Sequence, residues 1–339
     1  MPPPLPHSAH ATAKLLVIDG ATVESLVSLP EAIALAEAAL KNTSNGAAHQ
    51  DIRRTLALPG AAGACLSLMY AALDDSPHFG AKVLSVSPQN FAHGLPSHQG
   101  GVLLFEKAHG TPVALINGSA ITGLRTPAAS AVATRSLSRA NACELAIIGY
   151  GEQAERHIAA ISLVRPITHI RIWGRDPDKS RAFAKAQTLK GFHAAAMSSA
   201  QAAVEGAHII CTVTSASRPV LMGAWLTTGS HINAVGASIA ALQEIDLQCV
   251  LRSSIWVDYM PMALTAASDI FEPLAQGLLP PAQIIGEIGA VLNGTARGRQ
   301  DDAEITLYRS LGVPAQDIAF ANFIYRKAKA LGLGTEVSL

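Results

Sequence analysis

The sequence predicts an α/β protein of about two domains, and three observations indicate it. The chain has 339 residues, about twice the usual length of one domain. From residue 144 onward, short apolar runs alternate with helical stretches, which is typical of a parallel sheet covered by helices. The first of these runs leads through a glycine-rich turn into a helix.

Composition and charge exclude several other classes of protein. Hydrophobic residues make up 49% of the chain and charged residues 15%, a balance typical of a globular protein rather than a disordered one. The 25 basic and 25 acidic residues cancel, whereas nucleic-acid binding needs a strongly basic face. The sequence contains no apolar stretch of the roughly 18–20 residues that cross a bilayer. We therefore expect neither nucleic acid nor membrane as a partner.

Cysteine and histidine spacing indicates no metal site. The four cysteines are far apart, and the twelve histidines form no spacing typical of metal ligands. The first residues, MPPPLPHSAHATAKLL, lack the charged and apolar regions of a signal peptide. We expect free thiols and a cytoplasmic location.

The first part of the chain predicts a mixed α+β unit. Residues 1–12 resemble a loose tail, and Thr22–Asn45 has apolar residues at helical spacing. From Arg53 to Phe105, short apolar runs separated by turn residues predict an antiparallel sheet. A strand then leads into an alanine-rich helix from about Pro127 to Leu137, since proline suits a first helical turn.

The second part predicts parallel strands in LAIIGY, HIRIWG, HIICTV, HINAVG and IWVD. Beyond them, ITLYRSLG is a strand or a turn, and AQDIAFANFIYRKAKALG is an amphipathic helix.

The turn after LAIIGY predicts a dinucleotide site. Gly149 permits a tight turn, Gly151 lets the backbone approach a pyrophosphate, and Ala154 stands where a third small residue brings helix and strand together. The start of the helix, with Glu152 and Gln153, supplies free N–H groups for an anion.

Cofactor preference depends on the end of the next strand. NAD sites usually carry a carboxylate there, but Arg175 precedes Asp176 in this chain. An arginine can pair with a 2′-phosphate. We therefore predict NADPH as the preferred cofactor, with NADH possible.

Six separated segments resemble those of the ornithine cyclodeaminase/mu-crystallin family. They are LRTPAASAVATRSL, AKVLSVSPQN, GLPSHQGGVLLFE, HINAVGAS, Gln243-Glu244-Ile245-Asp246 and ITLYRSLGVPAQD. The resemblance implies a Rossmann dinucleotide-binding domain, residues 138–300, inserted in an α+β substrate-binding and dimerisation domain, residues 1–137 plus 301–339. It also implies a homodimer and a small α-amino or α-imino acid substrate.

The same resemblance implies three cations that bind the substrate carboxylate: Arg54, Lys82 and Arg125. The neighbouring Arg53 leaves the register of the first open by one residue. From the residues alone, a strand lysine is more often solvated, and Arg125 could cap a turn. An arginine fork would fix the orientation of a carboxylate.

Further contacts follow from the resemblance. Ser310 would close the substrate pocket, and His98 is a possible acid, although a strand histidine is more often structural. Besides Gly149, Gly151, Glu152, Gln153, Ala154 and Arg175, the expected cofactor contacts are Ser97, Thr126, Thr214, Val235, Gly236 and Leu311.

Ser238 selects among the reactions of the family. Ornithine cyclodeaminase has an essential aspartate at this place, and a serine cannot act alone as a base. The resemblance therefore favours reduction of a preformed cyclic imine: Δ1-pyrroline-2-carboxylate to L-proline and Δ1-piperideine-2-carboxylate to L-pipecolate. The catalytic set would be Lys82, Arg125 and Ser238. A cyclodeaminase, an alanine dehydrogenase and an NADPH-dependent ligand-binding protein remain alternatives.

Overall fold

The computed structural model of the chain describes residues 14–61 and 63–339, and over these residues its framework is two eight-stranded sheets. The predicted tail lies outside them. In chain order, the strands are β1 (Lys14–Ile18), β2 (Ala48–Gln50), β3 (Arg54–Ala57), β4 (Cys65–Leu73), β5 (His78–Val86), β6 (His98–Glu106), β7 (Pro112–Asn117), β8 (Glu144–Ile148), β9 (His169–Trp173), β10 (Ala194–Ala196), β11 (Ile209–Thr212), β12 (His231–Ala234), β13 (Ser254–Val257), β14 (Ile284–Glu287), β15 (Thr306–Arg309) and β16 (Thr335–Ser338).

Helices connect and cover these strands. In chain order, they are α1 (Gly20–Leu26), α2 (Leu29–Asn45), α3 (Gly118–Leu137), α4 (Glu152–Val164), α5 (Pro177–Leu189), α6 (Ala200–Val204), α7 (Leu247–Leu251), α8 (Met260–Ala266), α9 (Ser268–Ala275), α10 (Ile288–Leu292) and α11 (Pro314–Leu331). Within the described ranges, no helix is both long and apolar enough to cross a membrane.

The first sheet is mainly antiparallel. Its strand order is β16-β1-β7-β6-β5-β4-β2, with β3 paired to β4, and β1 and β7 form its parallel pair. Helices α3 and α11 pack against this sheet and cover a core that includes Val102, Leu104 and Ile116. The predicted mixed α+β unit is therefore present.

The second sheet is parallel throughout, in the order β10-β9-β8-β11-β12-β15-β13-β14. Successive residues of β8 alternate between two buried clusters, with Leu145 and Ile147 on one face and Ala146 and Ile148 on the other. Burial on both faces explains the continuous apolar runs of these strands. The structure confirms the predicted α/β class.

Two helix boundaries differ from the prediction. The segment Thr22–Asn45 contains two helices rather than one, because Ser28 caps α2 in a reciprocal capping box with Glu31. Helix α3 begins at Gly118 instead of Pro127, because the side chain of Asn117 accepts a hydrogen bond from the Ala120 N–H at 2.9 Å. Pro127 therefore lies inside the helix.

The second sheet extends beyond residue 301, where the domain boundary was predicted. Strand β15 (Thr306–Arg309) lies between β12 and β13 in the second sheet, with hydrogen-bonded register to both. The chain therefore returns to the first sheet after Arg309, through α11. The segment ITLY fits a central strand, but the sequence around this segment contains no βαβ pattern that would indicate which strands are its neighbours.

Helix α3 joins the two sheets. It is buried along most of its length and contacts α2, α4 and α11. Arg125 and Thr126 lie near its centre, so this helix brings the arginine of the first unit close to the strand ends of the second.

Candidate active site

The glycine turn after β8 has the predicted strand–turn–helix form. Gly149 has a φ of +129°, which glycine adopts readily, and a Cβ there would lie 2.9 Å from the Val213 carbonyl oxygen. Its N–H donates to the Trp173 carbonyl oxygen at 2.8 Å, which ties the turn to the end of β9. Ala154 is fully buried, as close packing of α4 requires. The turn is therefore held rigidly.

The start of α4 presents unused donors to an open space. In residues 14–61 and 63–339, the N–H groups of Gly151, Glu152 and Gln153 find no hydrogen-bond acceptor. A Cβ built on Gly151 would meet nothing within 4 Å beyond its immediate neighbours. The buried Gln153 Oε1 and Thr126 Oγ1 also lack a partner in that part of the chain. Free N–H groups at a positive helix end suit a pyrophosphate, so these residues fit a dinucleotide.

The side chains of Arg175 and Asp176, which follow β9, differ in their contacts and exposure. Asp176 caps α5, its Oδ1 accepting from the N–H groups of Asp178 at 2.9 Å and Lys179 at 3.1 Å. Arg175 is exposed. The carboxylate therefore serves the fold, while the guanidinium stays available to a ligand.

Glu244 joins the ends of β11 and β12. Its buried carboxylate accepts from Thr214 Oγ1 at 2.7 Å, the Thr214 N–H at 2.6 Å and the Gly236 N–H at 2.6 Å. A Cβ on Gly236 would overlap the Thr214 carbonyl oxygen. Val235 and Gly236 are thus held at the strand end by backbone contacts, and the Thr214 hydroxyl already has an acceptor. Cofactor contacts by these three residues stay predictions.

Lys82 lies on β5 and its side chain is only 2% exposed. Its ammonium donates to Asp317 Oδ1 at 2.8 Å and to Thr122 Oγ1 at 3.4 Å. Burial, with the nearby charges of Arg125 and Arg53, lowers the pKa of Lys82 to about 7, while Asp317 raises it. A lysine that titrates near neutrality is suited to proton chemistry as well as to anion binding.

Arg125 lies on α3 beside the same carboxylate. Its Nε is 3.4 Å from Asp317 Oδ1, and the arginine side chain is 6% exposed. A Cβ on Gly312 would overlap the terminal guanidinium nitrogens, so the glycine gives the guanidinium room. Lys82 and Arg125 therefore converge on Asp317. Their role in binding a substrate stays a prediction.

Arg53, rather than Arg54, reaches the strand ends of the second sheet. Its guanidinium donates to the Ser238 carbonyl oxygen at 2.9 Å, to Ser238 Oγ at 3.3 Å and to the Leu311 carbonyl oxygen at 2.8 Å. Arg54 points the other way and pairs with Asp51 at 2.7 Å, with its side chain 62% exposed. The placement of Arg54 in the pocket is corrected to Arg53, because β3 starts at Arg54 and turns successive side chains to opposite faces.

A buried carboxylate fixes the loop after β15. Asp258 Oδ2 accepts from the N–H groups of Leu311 and Gly312, each at 2.6 Å. The Ser310 N–H donates to the Ala234 carbonyl oxygen at 3.0 Å, and Ser310 is buried. This loop therefore brings Leu311 to Arg53 and Gly312 to Arg125.

Ser97 and His98 lie at the start of β6. Ser97 is buried, and its hydroxyl is 2.8 Å from Nδ1 of the exposed His98. Although part of the His98 side chain reaches solvent, desolvation of its imidazole by surrounding protein, then the charges of Lys82, Arg53 and Arg125, lower the pKa of His98. The imidazole thus lies near the three cations, and its surroundings favour the neutral form.

Comparison with known proteins decides the family. The sequence model described as the ornithine cyclodeaminase/mu-crystallin family matches residues 14–332. The chain belongs to this family. The six segments that indicated the resemblance all fall within the matched range.

Individual relatives within the ornithine cyclodeaminase/mu-crystallin family match over almost the whole chain. A Δ1-pyrroline-2-carboxylate reductase of Bacillus cereus is 35% identical over 325 residues, 95% of this chain and 99% of the relative. The structure of Thermococcus litoralis Δ1-pyrroline-2-carboxylate reductase, in complex with NADH and L-proline, has a TM-score of 0.92 at 33% identity and covers 95% of this chain and 100% of that one. An archaeal alanine dehydrogenase dimer with bound NAD has a TM-score of 0.90 at 28% identity, covering 96% and 99%.

Three acidic residues of the site were not predicted. Asp258 follows the IWVD strand, and a carboxylate at the carboxyl end of a parallel strand is a recognisable signal. Asp317 is an acid among the apolar residues of PAQDIAF, which also sets it apart. Glu244 was noted within a matching segment, but the sequence gives no sign that it binds Thr214.

Proposed function

We propose that this chain is an NAD(P)H-dependent reductase of cyclic α-imino acids, converting Δ1-pyrroline-2-carboxylate to L-proline and Δ1-piperideine-2-carboxylate to L-pipecolate. One observation carries the proposal: Arg53, Lys82 and Arg125 converge beside the strand ends of a dinucleotide-binding sheet. Such a pocket suits a small carboxylate next to a nicotinamide. The names of the two Δ1-pyrroline-2-carboxylate reductases described above support the first of these reactions.

The nicotinamide cofactor supplies a hydride to the imine carbon when it is bound. The N–H groups at the start of α4 would hold its pyrophosphate, and Arg175 would hold a 2′-phosphate. The Glu244 carboxylate fixes the backbone of Thr214 and Gly236, so that the strand ends form a rigid surface against the cofactor. Ser97, Thr126, Val235 and Leu311 would complete its surroundings.

The three cations would bind and orient the substrate carboxylate. A guanidinium can bind a carboxylate through two parallel hydrogen bonds, which fix the plane of the substrate as well as its position. Lys82 adds a second charge from β5. Holding the ring in one orientation beside the cofactor is the main catalytic contribution expected of these residues.

Ser238 favours reduction over deamination. Its hydroxyl and carbonyl oxygen accept from Arg53, and no carboxylate occupies this position to take a proton from a substrate amine. Reduction of a preformed imine needs no such base. The proton that the imine nitrogen gains would come through water near Ser238, His98 or Lys82.

A homodimer is part of the proposal. Six large apolar residues in the described strands of the first sheet are between 38% and 64% exposed, namely Leu56, Leu66, Tyr70, Val83, Leu115 and Val337. An exposed apolar sheet face of this kind is typical of a subunit interface. The four free cysteines fit a cytoplasmic location.

The direct test follows NADPH and NADH oxidation by the purified protein with each of the two imines. Ornithine alone, and pyruvate with ammonia, serve as controls. Cofactor oxidation with the imines and no ammonia release from ornithine are expected. Faster ammonia release from ornithine than imine reduction would make the protein a cyclodeaminase instead.

A further inference from the structure

Asp317 is the anion on which two of the three cations meet. It lies in the first turn of α11 and its side chain is fully buried. One carboxylate oxygen contacts Lys82 Nζ at 2.8 Å and Arg125 Nε at 3.4 Å. The other oxygen has no hydrogen-bond partner in the described part of the chain.

We propose that Asp317 is the positioning residue of the substrate pocket. It holds Lys82 and Arg125 from the side away from the substrate, so that their remaining donors face the substrate carboxylate. The inference rests on the proposed function. Arg125 Nε lies 3.4 Å from Asp317 as an ion pair without a hydrogen bond, and its two terminal nitrogens form no hydrogen bond to residues 14–61 or 63–339. Lys82 uses two of its three N–H groups, on Asp317 and Thr122.

Charge balance supports this arrangement. When Lys82 is protonated, Arg53, Lys82 and Arg125 carry three positive charges, and the buried Asp317 and Asp258 carry two negative charges when ionised. The difference, 3 − 2, leaves one positive charge for one substrate carboxylate. Without Asp317, Lys82 and Arg125 would lose the carboxylate that both approach, and only the charge of Asp258 would remain against the three cations. The arrangement therefore favours a substrate with a single carboxylate.

Asp317 also determines how much of Lys82 is protonated. The charged and titratable groups around Lys82 are Asp317 on α11, Arg125 on α3, Arg53 before β3 and His98 on β6. Burial and the two arginines disfavour the ammonium, and Asp317 favours it. Removal of the Asp317 charge should therefore lower the pKa of Lys82 from about 7.

The test compares pH profiles of kcat/KM for Δ1-pyrroline-2-carboxylate in the natural protein and in Asp317→Asn. Loss of the Lys82 charge should reduce kcat/KM above about pH 7 in the natural protein. In Asp317→Asn, this fall of kcat/KM at high pH, the alkaline limb of the profile, should move to lower pH by at least about one unit. The loss of kcat/KM relative to the natural protein should then be about tenfold greater at pH 8 than at pH 5.5. Asp317→Glu keeps a carboxylate and should therefore leave the limb close to its position in the natural protein. An equal loss at every pH would overturn the proposal.

Two control variants separate positioning from general damage. Asp246→Asn removes a carboxylate that caps α7, accepting from the Gly223 and Cys249 N–H groups, and should lower stability without moving the limb. Lys82→Arg replaces the titrating group with one that stays charged, and should remove the limb altogether. Persistence of the limb in Lys82→Arg would also overturn the proposal.

A measurement without substrate distinguishes failure of this inference from failure of the proposed function. A lysine whose pKa is lowered by folding makes stability rise with pH between the folded and unfolded values. The stability difference between the natural protein and Lys82→Met should therefore increase above about pH 7. With Asp317→Asn in both proteins, the increase should begin at lower pH. If the increase in the stability difference began at the same pH with Asp317 and with Asp317→Asn, the inference would be contradicted, even if no imine were reduced.

Discussion

The guanidinium of Arg53 donates to the Ser238 carbonyl oxygen at 2.9 Å, which joins the segment before β3 to the loop after β12. This contact links the unit that carries Lys82 and Arg125 to the strand end where we place the nicotinamide. Arg53 thus has two uses: it closes the pocket against the second sheet and adds positive charge to it.

Arg53→Met should lower kcat/KM for the imine acid by about ten- to a hundredfold, since a charge-assisted contact is worth about 1.5–3 kcal/mol. Arg54→Met is a matched control from the adjacent position. Its ion pair with Asp51 is exposed, and such pairs contribute about 0–1 kcal/mol, so activity should change little. Steady-state kinetics of the two variants checks the corrected register, and a larger loss in Arg54→Met would reverse it.

Two glycine substitutions test the phosphate turn. Gly151→Ala adds a Cβ that meets no protein atom within 4 Å beyond its immediate neighbours, so stability should change by less than about 0.5 kcal/mol while cofactor affinity falls. Gly149→Ala places a Cβ at a φ of +129° and 2.9 Å from the Val213 carbonyl oxygen. That strain should cost about 1–3 kcal/mol of stability as well.

Denaturant unfolding and titration of NADPH fluorescence measure the two effects separately. Unchanged cofactor affinity in Gly151→Ala would place the pyrophosphate elsewhere.

Arg175→Ala tests cofactor preference. If the exposed guanidinium of Arg175 binds a 2′-phosphate, its removal should raise the KM for NADPH by about ten- to a hundredfold and leave the KM for NADH nearly unchanged. Kinetics with both cofactors at saturating imine gives the comparison. Similar changes for both would show that Arg175 does not read the phosphate.

The sequence predicted the parallel sheet and its phosphate turn because both depend on local pattern. A strand buried on both faces requires a continuous apolar run, and a tight turn requires glycines, so both are recognisable within a few residues of sequence. The start of helix α3 was predicted wrongly, because Pro127 is an ordinary signal for a helix start. The residue that caps the helix, Asn117, lies ten residues earlier.

The ion pairs of the site could not be predicted from local pattern. Asp317 lies 235 positions from Lys82, and nothing near either residue indicates the other. Glu244 and Thr214 are 30 positions apart and meet because their loops share one sheet edge. The choice between Arg53 and Arg54 depends on which side chain of a strand start faces inward, and the sequence alone left it open.

The most direct test of the account compares two substrates across two variants. We predict that Lys82→Met and Arg125→Met each lower kcat/KM for Δ1-pyrroline-2-carboxylate by at least about a hundredfold, because the substrate carboxylate loses a charged partner in a partly dry pocket. Reduction of 1-pyrroline, which lacks the carboxylate, should be slow in the natural protein and nearly unaffected by either substitution. Arg125→Met keeps the Lys82–Asp317 pair intact, and thermal unfolding with NADPH titration verifies that both variants fold and bind cofactor. Equal loss of activity on both substrates would contradict the account, since Lys82 and Arg125 would then serve the cofactor or the fold rather than the substrate carboxylate.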